Sequence, residues 1–431
     1  MKKAREISAI AKMTWIAIVV IIVAVAAIVS VYIIMSTKPP RDRFRIGVLI
    51  EITGAWAREG NMVKRGYDAW RDYINENLGG LEIDGKKYLI EYVYYDLKSD
   101  PATAADAMEK MITTEDIDWV WGPMASACVL AEGAVGDKYG MLQIDGTCES
   151  HLIPERKYKW FFMLQPITKT TGAAYAYMLK LEPSIQTVAL LYSDSAYNLG
   201  LGEGFKIGIS KMKSEGYNIN IVYEEVFSDA ITDLSSQILE AKASNADALI
   251  LFSYANTGLV AVRNMQELEY NPKFFATNNM GVPDFYLALG ESANYICCAV
   301  PWTSKVIYSW ESILWHNNSY YVQYFETKFG IDADYSSAGC AAAGEIMAEL
   351  LIEFKMKPPL SQADREKIRN ELEKRTFYTF WGPVKFSTDD VYWHSNTELE
   401  LIPTQYMNGR LTMIGGPSKE EDLVFPKPPW P

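Results

Sequence analysis

The chain has 431 residues, long enough for two domains of ordinary size, and 49% of them are hydrophobic, so it can bury substantial cores. Its 41 basic side chains against 54 acidic ones give a net charge of −13, which argues against a nucleic-acid binder, since phosphates demand a basic footprint. Acidity alone names no partner, because a solvated surface is the better explanation of it.

In chain order, residues 1–12 form a short tail, and residues 13–35, MTWIAIVVIIVAVAAIVSVYIIM, carry no charge. At 1.5 Å rise per residue this run matches a hydrocarbon layer of about 30 Å, so a membrane-spanning anchor is expected there. A secretory signal has an apolar core of only about 7 to 15 residues followed by a small-residue cleavage site, which favours an uncleaved helix. Lys2, Lys3, Arg5 and Lys12 precede the run while Lys38, Arg41, Arg43 and Arg45 follow it, so positive-inside counting does not orient it. Residues 36–44, with Pro39-Pro40, read as a short extended linker.

From residue 45 the pattern alternates. RIGVLIEI (45–52), YLIEYVYYD (88–96), DWVWG (118–122) and MLQID (141–145) are β-rich runs separated by stretches of helical periodicity, such as Met62, Gly66, Ala69, Trp70, Tyr73 and Ile74. TVALLYSD (187–194), INIVYEEVF (219–227), DALILFSY (247–254) and KFFATN (273–278) continue it, with helical stretches near 199–215, 232–244 and 257–269. Strands separated by helices imply βαβ units and parallel sheet, here about eight strands in two groups, and hence two α/β lobes. Later segments near 311–329, 338–354 and 361–374 read as helices that must pack back on one lobe or the other.

In open α/β sheets, ligands sit at the carboxyl ends of the strands, where helix N-termini present free N–H groups. Gly122-Pro123 ends a strand at such an edge, and Ser126 offers a hydroxyl beside it, either for a ligand or as a helix cap. The three histidines, His151, His316 and His394, have no ligand spacing, so no metal site is indicated. No GxSxG elbow is present, acid/base pairs are unspecific, and no catalytic residue is assigned. Gly200-Leu-Gly202-Glu-Gly204 lacks the third glycine of a dinucleotide fingerprint and reads instead as a tight turn, so no cofactor is expected. Five cysteines leave at least one thiol unpaired within the chain; Cys128 and Cys148, each just beyond a strand end, could pair or could be buried free thiols. Cys297-Cys298 sits in an apolar strand-like run and is expected to pack.

Several stretches together resemble the leucine/isoleucine/valine-binding family, the branched-chain amino-acid and amide class of periplasmic-type solute-binding proteins. They are ITGAWAREG (52–60), YDLKSDPATAADAMEKMI (95–112), WGPMAS (121–126), YNLGLGEGF (197–205), NADALILFSY (245–254), GESAN (290–294) and TFWGPVKFSTDD (379–390), and their order and spacing cover about residues 45–415. The resemblance implies a periplasmic binding protein type I fold: two Rossmann-like doubly wound lobes, joined by three crossovers and closing on a small ligand. The lobes would comprise 45–165 plus 301–383 and 166–300 plus 384–431. By position, Ser126 matches the family's ligand-binding serine, and Thr147 and Glu149 fall where a ligand carboxylate is usually held. Tyr197, Tyr254 and Tyr335 match aromatic wall positions, and Trp56 lies in the first ligand-facing loop.

Two departures bear on the ligand. The acid that usually takes the ligand's ammonium falls at the neutral Asn278 or Asn279, while Glu149 stands where a hydroxyl is common. An amino acid with its ammonium toward Glu149, or a neutral amide or urea-like molecule, is therefore expected. The resemblance also implies an extracellular, membrane-anchored component of an ABC importer, with permease and ATPase subunits as partners and no enzymatic activity. A ligand-sensing receptor acting through a partner signalling chain is the alternative. The sequon Asn317-Asn318-Ser319 is compatible with an outer location.

Overall fold

The computed structural model of the chain describes Trp15, Ile18 and residues 39–431, except Val282 and Pro417. Apart from Trp15 and Ile18, the expected anchor at 13–35 lies outside the described residues, as do the tail 1–12 and residues 36–38 of the linker. Among the described residues no helix is long and apolar enough to cross a membrane.

Strands β1 (Arg43–Ile50), β2 (Leu81–Ile83), β3 (Lys86–Asp96), β4 (Trp119–Trp121), β5 (Gln143–Asp145) and β6 (Phe161–Met163) form a first sheet in the order β2-β3-β1-β4-β5-β6. All pairings are parallel except the β2–β3 hairpin. A second, seven-stranded sheet takes β7 (Thr187–Ser193), β8 (Asn220–Phe227), β9 (Ala248–Phe252), β10 (Phe274–Thr277) and β11 (Cys297–Val300). After a hairpin of β12 (Phe377–Thr379) and β13 (Gly382–Val384) come β14 (Ile402–Met407) and β15 (Arg410–Met413), which complete that sheet along an antiparallel edge. Position in the sheet is written in the side chains. β9, ALILF, lies inside the sheet and is buried at every residue, whereas edge strand β8, NIVYEEVF, alternates between exposed and half-buried positions.

The chain passes between the sheets three times: between β6 and β7, between β11 and β12, and between β13 and β14. Each sheet has its own apolar core. Tyr321, Phe325, Ala338, Ile346, Ile368 and Leu372, from the three late helices, pack into the first core around Trp70, Trp119 and Trp121. Phe386 and Leu399 join that core as well. The architecture is a two-lobed α/β fold.

The helices that border the seam are α1 (Ala57–Asp72), α2 (Ser126–Tyr139), α3 (Thr168–Met178), α4 (Ala196–Ser214), α5 (Ala255–Glu267) and α6 (Tyr335–Glu353). The expected turn at Gly200-Gly204 is instead the first half of α4. A Cβ on Gly200 would lie 2.1 Å from Thr168 Oγ1, and one on Gly204 would lie 2.2 Å from the Lys169 carbonyl oxygen. These glycines let α4 approach the start of α3 at near-backbone distance, a packing need that looks like a turn motif in sequence. Cys128 and Cys148 are free and buried, so the possible disulfide is not formed. Cys128 packs with Met108 and Val120, Cys148 with Ile153 and Phe161, in separate apolar clusters. Cys297 and Cys298 are buried and unpaired within β11.

Helices α1 and α6 cross at Gly66, where a Cβ would stand 2.3 Å from the Ser337 carbonyl oxygen and 2.7 Å from Cys340 Cβ. This contact fixes the start of α6, where Asp334 and Ser337 form a reciprocal capping box, against the helix that Trp56 opens. Gly66→Ala is expected to lower unfolding free energy by about 1–3 kcal/mol through overpacking, as chemical denaturation would show.

Candidate functional site

The carboxyl ends of the parallel strands in both sheets turn toward one seam, and the loops that follow them supply its walls. β1 leads to Glu51 and Trp56, β4 to Met124, Ala125 and Ser126, and β5 to Thr147 and Glu149. From the second lobe, β7 leads to Tyr197 in the first turn of α4, and β9 to Tyr254, the residue preceding α5. Tyr335 enters from the start of α6. The seam holds a narrow cleft, about 410 Å³ when its open mouth is counted.

Seven residues singled out in the sequence, Trp56, Ser126, Thr147, Glu149, Tyr197, Tyr254 and Tyr335, line this cleft together with Glu59, Met124 and Ala125. Asn278 and Asn279 do not line it. Asn278 receives the Ser253 amide at 3.1 Å and donates to the Ser253 carbonyl at 3.0 Å, while the Asn279 amide donates to Ser253 Oγ at 2.9 Å. Both are spent on bracing the ends of β9 and β10. Ser126 is the first residue of α2 and does not cap it; the N-cap position is Ala125, with no side-chain cap bond.

The cleft is acidic and aromatic. Glu149 is 5% exposed, and its Oε2 accepts hydroxyls from two second-lobe residues, Thr171 at 3.2 Å and Tyr197 at 3.5 Å. Burial pushes its carboxyl from an ordinary 4.5 up to about 8, against the opposing pull of those two hydroxyls. Glu59 is buried and its carboxyl is raised by desolvation, with Arg58 pulling the other way. Tyr197 and Tyr254 stack with ring centroids 6.2 Å apart and planes 19° from parallel.

Behind the first-lobe wall lie two further carboxylates. Glu51 accepts the Met124 and Ala125 amides at 3.3 and 3.1 Å, and Asp145 Oδ1 accepts the amides of Thr147 and Cys148 at 2.7 and 2.8 Å. Burial raises both to about 7 despite those donors. They hold the β4 and β5 loops in shape. Sequence reading missed Glu51, Glu59 and Asp145; for Glu51 and Asp145 the available signal was an acid closing the apolar runs RIGVLIE and MLQID at a strand's carboxyl end. Among the described residues there is no cluster of three or more His, Cys, Asp or Glu placed to hold a metal ion.

Because its folded-state value lies above its ordinary one, the Glu149 carboxyl stabilises the fold fully below about pH 4.5, and this contribution is lost as pH rises through about 8. Melting curves of the Glu149→Gln variant between pH 5 and 9 should therefore fall less steeply with pH than those of the parent.

Residues 43–394 match the family model described as periplasmic binding protein. The Leu/Ile/Val-binding protein BraC3 of Rhizobium johnstonii is 26% identical over 259 residues, 58% of this chain and 64% of that protein, so the chain spans less than two thirds of this relative's length. Among solved structures, LivJ of Streptococcus pneumoniae, a branched-chain amino acid transporter substrate-binding protein in complex with isoleucine, superposes with a TM-score of 0.71 at 20% identity, covering 86% of this chain and 97% of LivJ. A solute-binding protein of an ABC transporter from R. palustris, in complex with benzoate, gives a TM-score of 0.71 at 17% identity, covering 86% and 96%. Two α/β lobes with a lined seam at their strand ends, and a family match over most of the chain, lead to one conclusion: the chain belongs to the periplasmic binding protein family, with Leu/Ile/Val-binding proteins among its relatives.

Proposed function

We propose that this chain is the membrane-anchored, extracellular solute-binding component of an ABC importer, capturing a small polar ligand by closure of its two lobes. The observation that carries the reading is the convergence of Trp56, Ser126, Thr147 and Glu149 from the first lobe with Tyr197 and Tyr254 from the second on one cleft. A site divided between two lobes that the chain links three times suits a hinge: a guest contacting both walls stabilises the closed arrangement over the open one. The two solved relatives described above hold isoleucine and benzoate. Residues 13–35 would tether the globule to the membrane, and a permease with cytoplasmic ATPases would receive the ligand.

The ligand class follows from the wall chemistry. Aromatic faces accept aliphatic groups or an ammonium, and Glu149 supplies the charge or acceptor that an ammonium, amide or urea-like N–H requires. Nothing is transformed in this reading; the two lobes bind and release.

Two expectations follow. A thermal-shift screen of the full chain against amino acids, amides, urea and aromatic acids should return a ligand that raises the melting temperature, with a gain of about 2.7 kcal/mol at 100 times its dissociation constant. Trp56→Ala and Tyr254→Ala should each weaken that ligand about tenfold or more by calorimetry, since each removes an aromatic wall from one lobe. Unchanged affinity in both variants would place the ligand elsewhere.

A further inference from the structure

We infer that the guest of this cleft is an organic cation without a carboxylate, an amine or quaternary ammonium, rather than an α-amino acid; the inference rests on the solute-binding reading above. It comes from two first-lobe carboxylates, Glu59 and Glu149, set among aromatic walls in a cleft whose lining contains no Lys, Arg or His.

A ligand carboxylate needs donors, and on the first-lobe wall the amides of Met124, Ala125 and Thr147 and the Thr147 hydroxyl are already engaged, with Ser126 not among them. The Met124 and Ala125 amides point at Glu51, at 3.3 and 3.1 Å. The Thr147 amide and hydroxyl both point at Asp145 Oδ1, at 2.7 and 3.2 Å. A guest carboxylate on this wall would meet Ser126 and no cation, and once Glu149 ionises, above about pH 8, that charge would repel it in a buried seam. The groups that act on Glu149 or feel its charge, Thr171, Tyr197, Tyr335, Cys148 and Cys298, are all neutral. Arg58, next to Glu59, turns its guanidinium to Asp284 at 3.5 Å. The cleft thus lacks a positive charge, and a cation supplies it.

The aromatic residues fit the same guest. Ring faces attract a cation, more so when it is desolvated, and Trp56, Tyr197, Tyr254 and Tyr335 all line the cleft that holds Glu149. With Glu149 carrying its proton through much of the neutral range, a bound cation takes the proton's place. Binding then releases a proton to solvent and tightens as pH rises from 6 toward 8, by up to about tenfold per pH unit.

The test is a matched series titrated calorimetrically into the full-length protein: L-leucine, 3-methylbutylamine, which is leucine without its carboxylate, 4-methylpentanoate, which is leucine without its ammonium, and choline. At least one of the two carboxylate-free cations should bind tenfold or more tightly than leucine, with 4-methylpentanoate inactive and affinity rising from pH 6 to 8. Glu149→Gln should cost that cation about fiftyfold, and the separate variant Glu59→Gln a smaller loss, each with its melting transition retained. Leucine binding more tightly than both cations, or binding by 4-methylpentanoate, overturns the inference while leaving a solute-binding cleft in place. Failure of all four compounds overturns the inference and counts against the solute-binding reading as well.

Discussion

Glu149 is carried by the loop after β5 in the first lobe and hydrogen-bonded by hydroxyls of the second, Thr171 and Tyr197. A carboxyl buried at a seam between two lobes is an unstable choice unless something compensates it. Two hydroxyls at 3.2 and 3.5 Å do so only in part, which is why burial wins and its proton is held so firmly. An apolar group in this place would pack with less cost. On the proposed reading, keeping an acid there makes the seam most stable when a guest with positive charge or N–H donors completes it.

The rest of the site is arranged around that constraint. Glu51 and Asp145 hold the neighbouring loops by taking up their amides, so the first-lobe wall is rigid but already satisfied. The second lobe contributes the stacked pair Tyr197 and Tyr254, carried at the starts of α4 and α5. Close helix packing at Gly200 and Gly204 on one side, and at Gly66 on the other, sets where those walls stand.

Much of this was legible in the residues. Alternation of apolar strands with helical stretches marks a parallel two-sheet fold, and all eight expected runs are strands. Parallel topology then puts strand ends at the seam, which singles out Ser126; Thr147, Tyr197 and Tyr254 come from the resemblance to the Leu/Ile/Val-binding family, and all four line the cleft. The short strands β2, β6, β12 and β15 escaped the reading, although β4, β5 and β10, equally short, were caught inside longer apolar runs. Asn278 and Asn279 sit at a strand end like the true lining residues, but which way an amide turns depends on Ser253 across the sheet, and no local pattern encodes that. The glycines of α4 misled for a related reason: a glycine wanted for helix contact and one wanted for a turn are the same letter. Whether Cys128 and Cys148 could pair depended on which apolar cluster each thiol packs into, and they pack into different ones, again a tertiary matter.

The central claim is that a small guest draws the two lobes together over Glu149. It is tested most directly by spin labels at Tyr139→Cys in the first lobe and Ile207→Cys in the second, positions 40% and 55% exposed in a chain whose five native cysteines are buried. Pulsed-dipolar distances would be read with and without a pool of amines, amino acids, amides and aromatic acids. The pool should shift the label distance in the parent and leave it unmoved when Glu149→Ala is added. A distance indifferent to the whole pool in the parent protein would contradict the account.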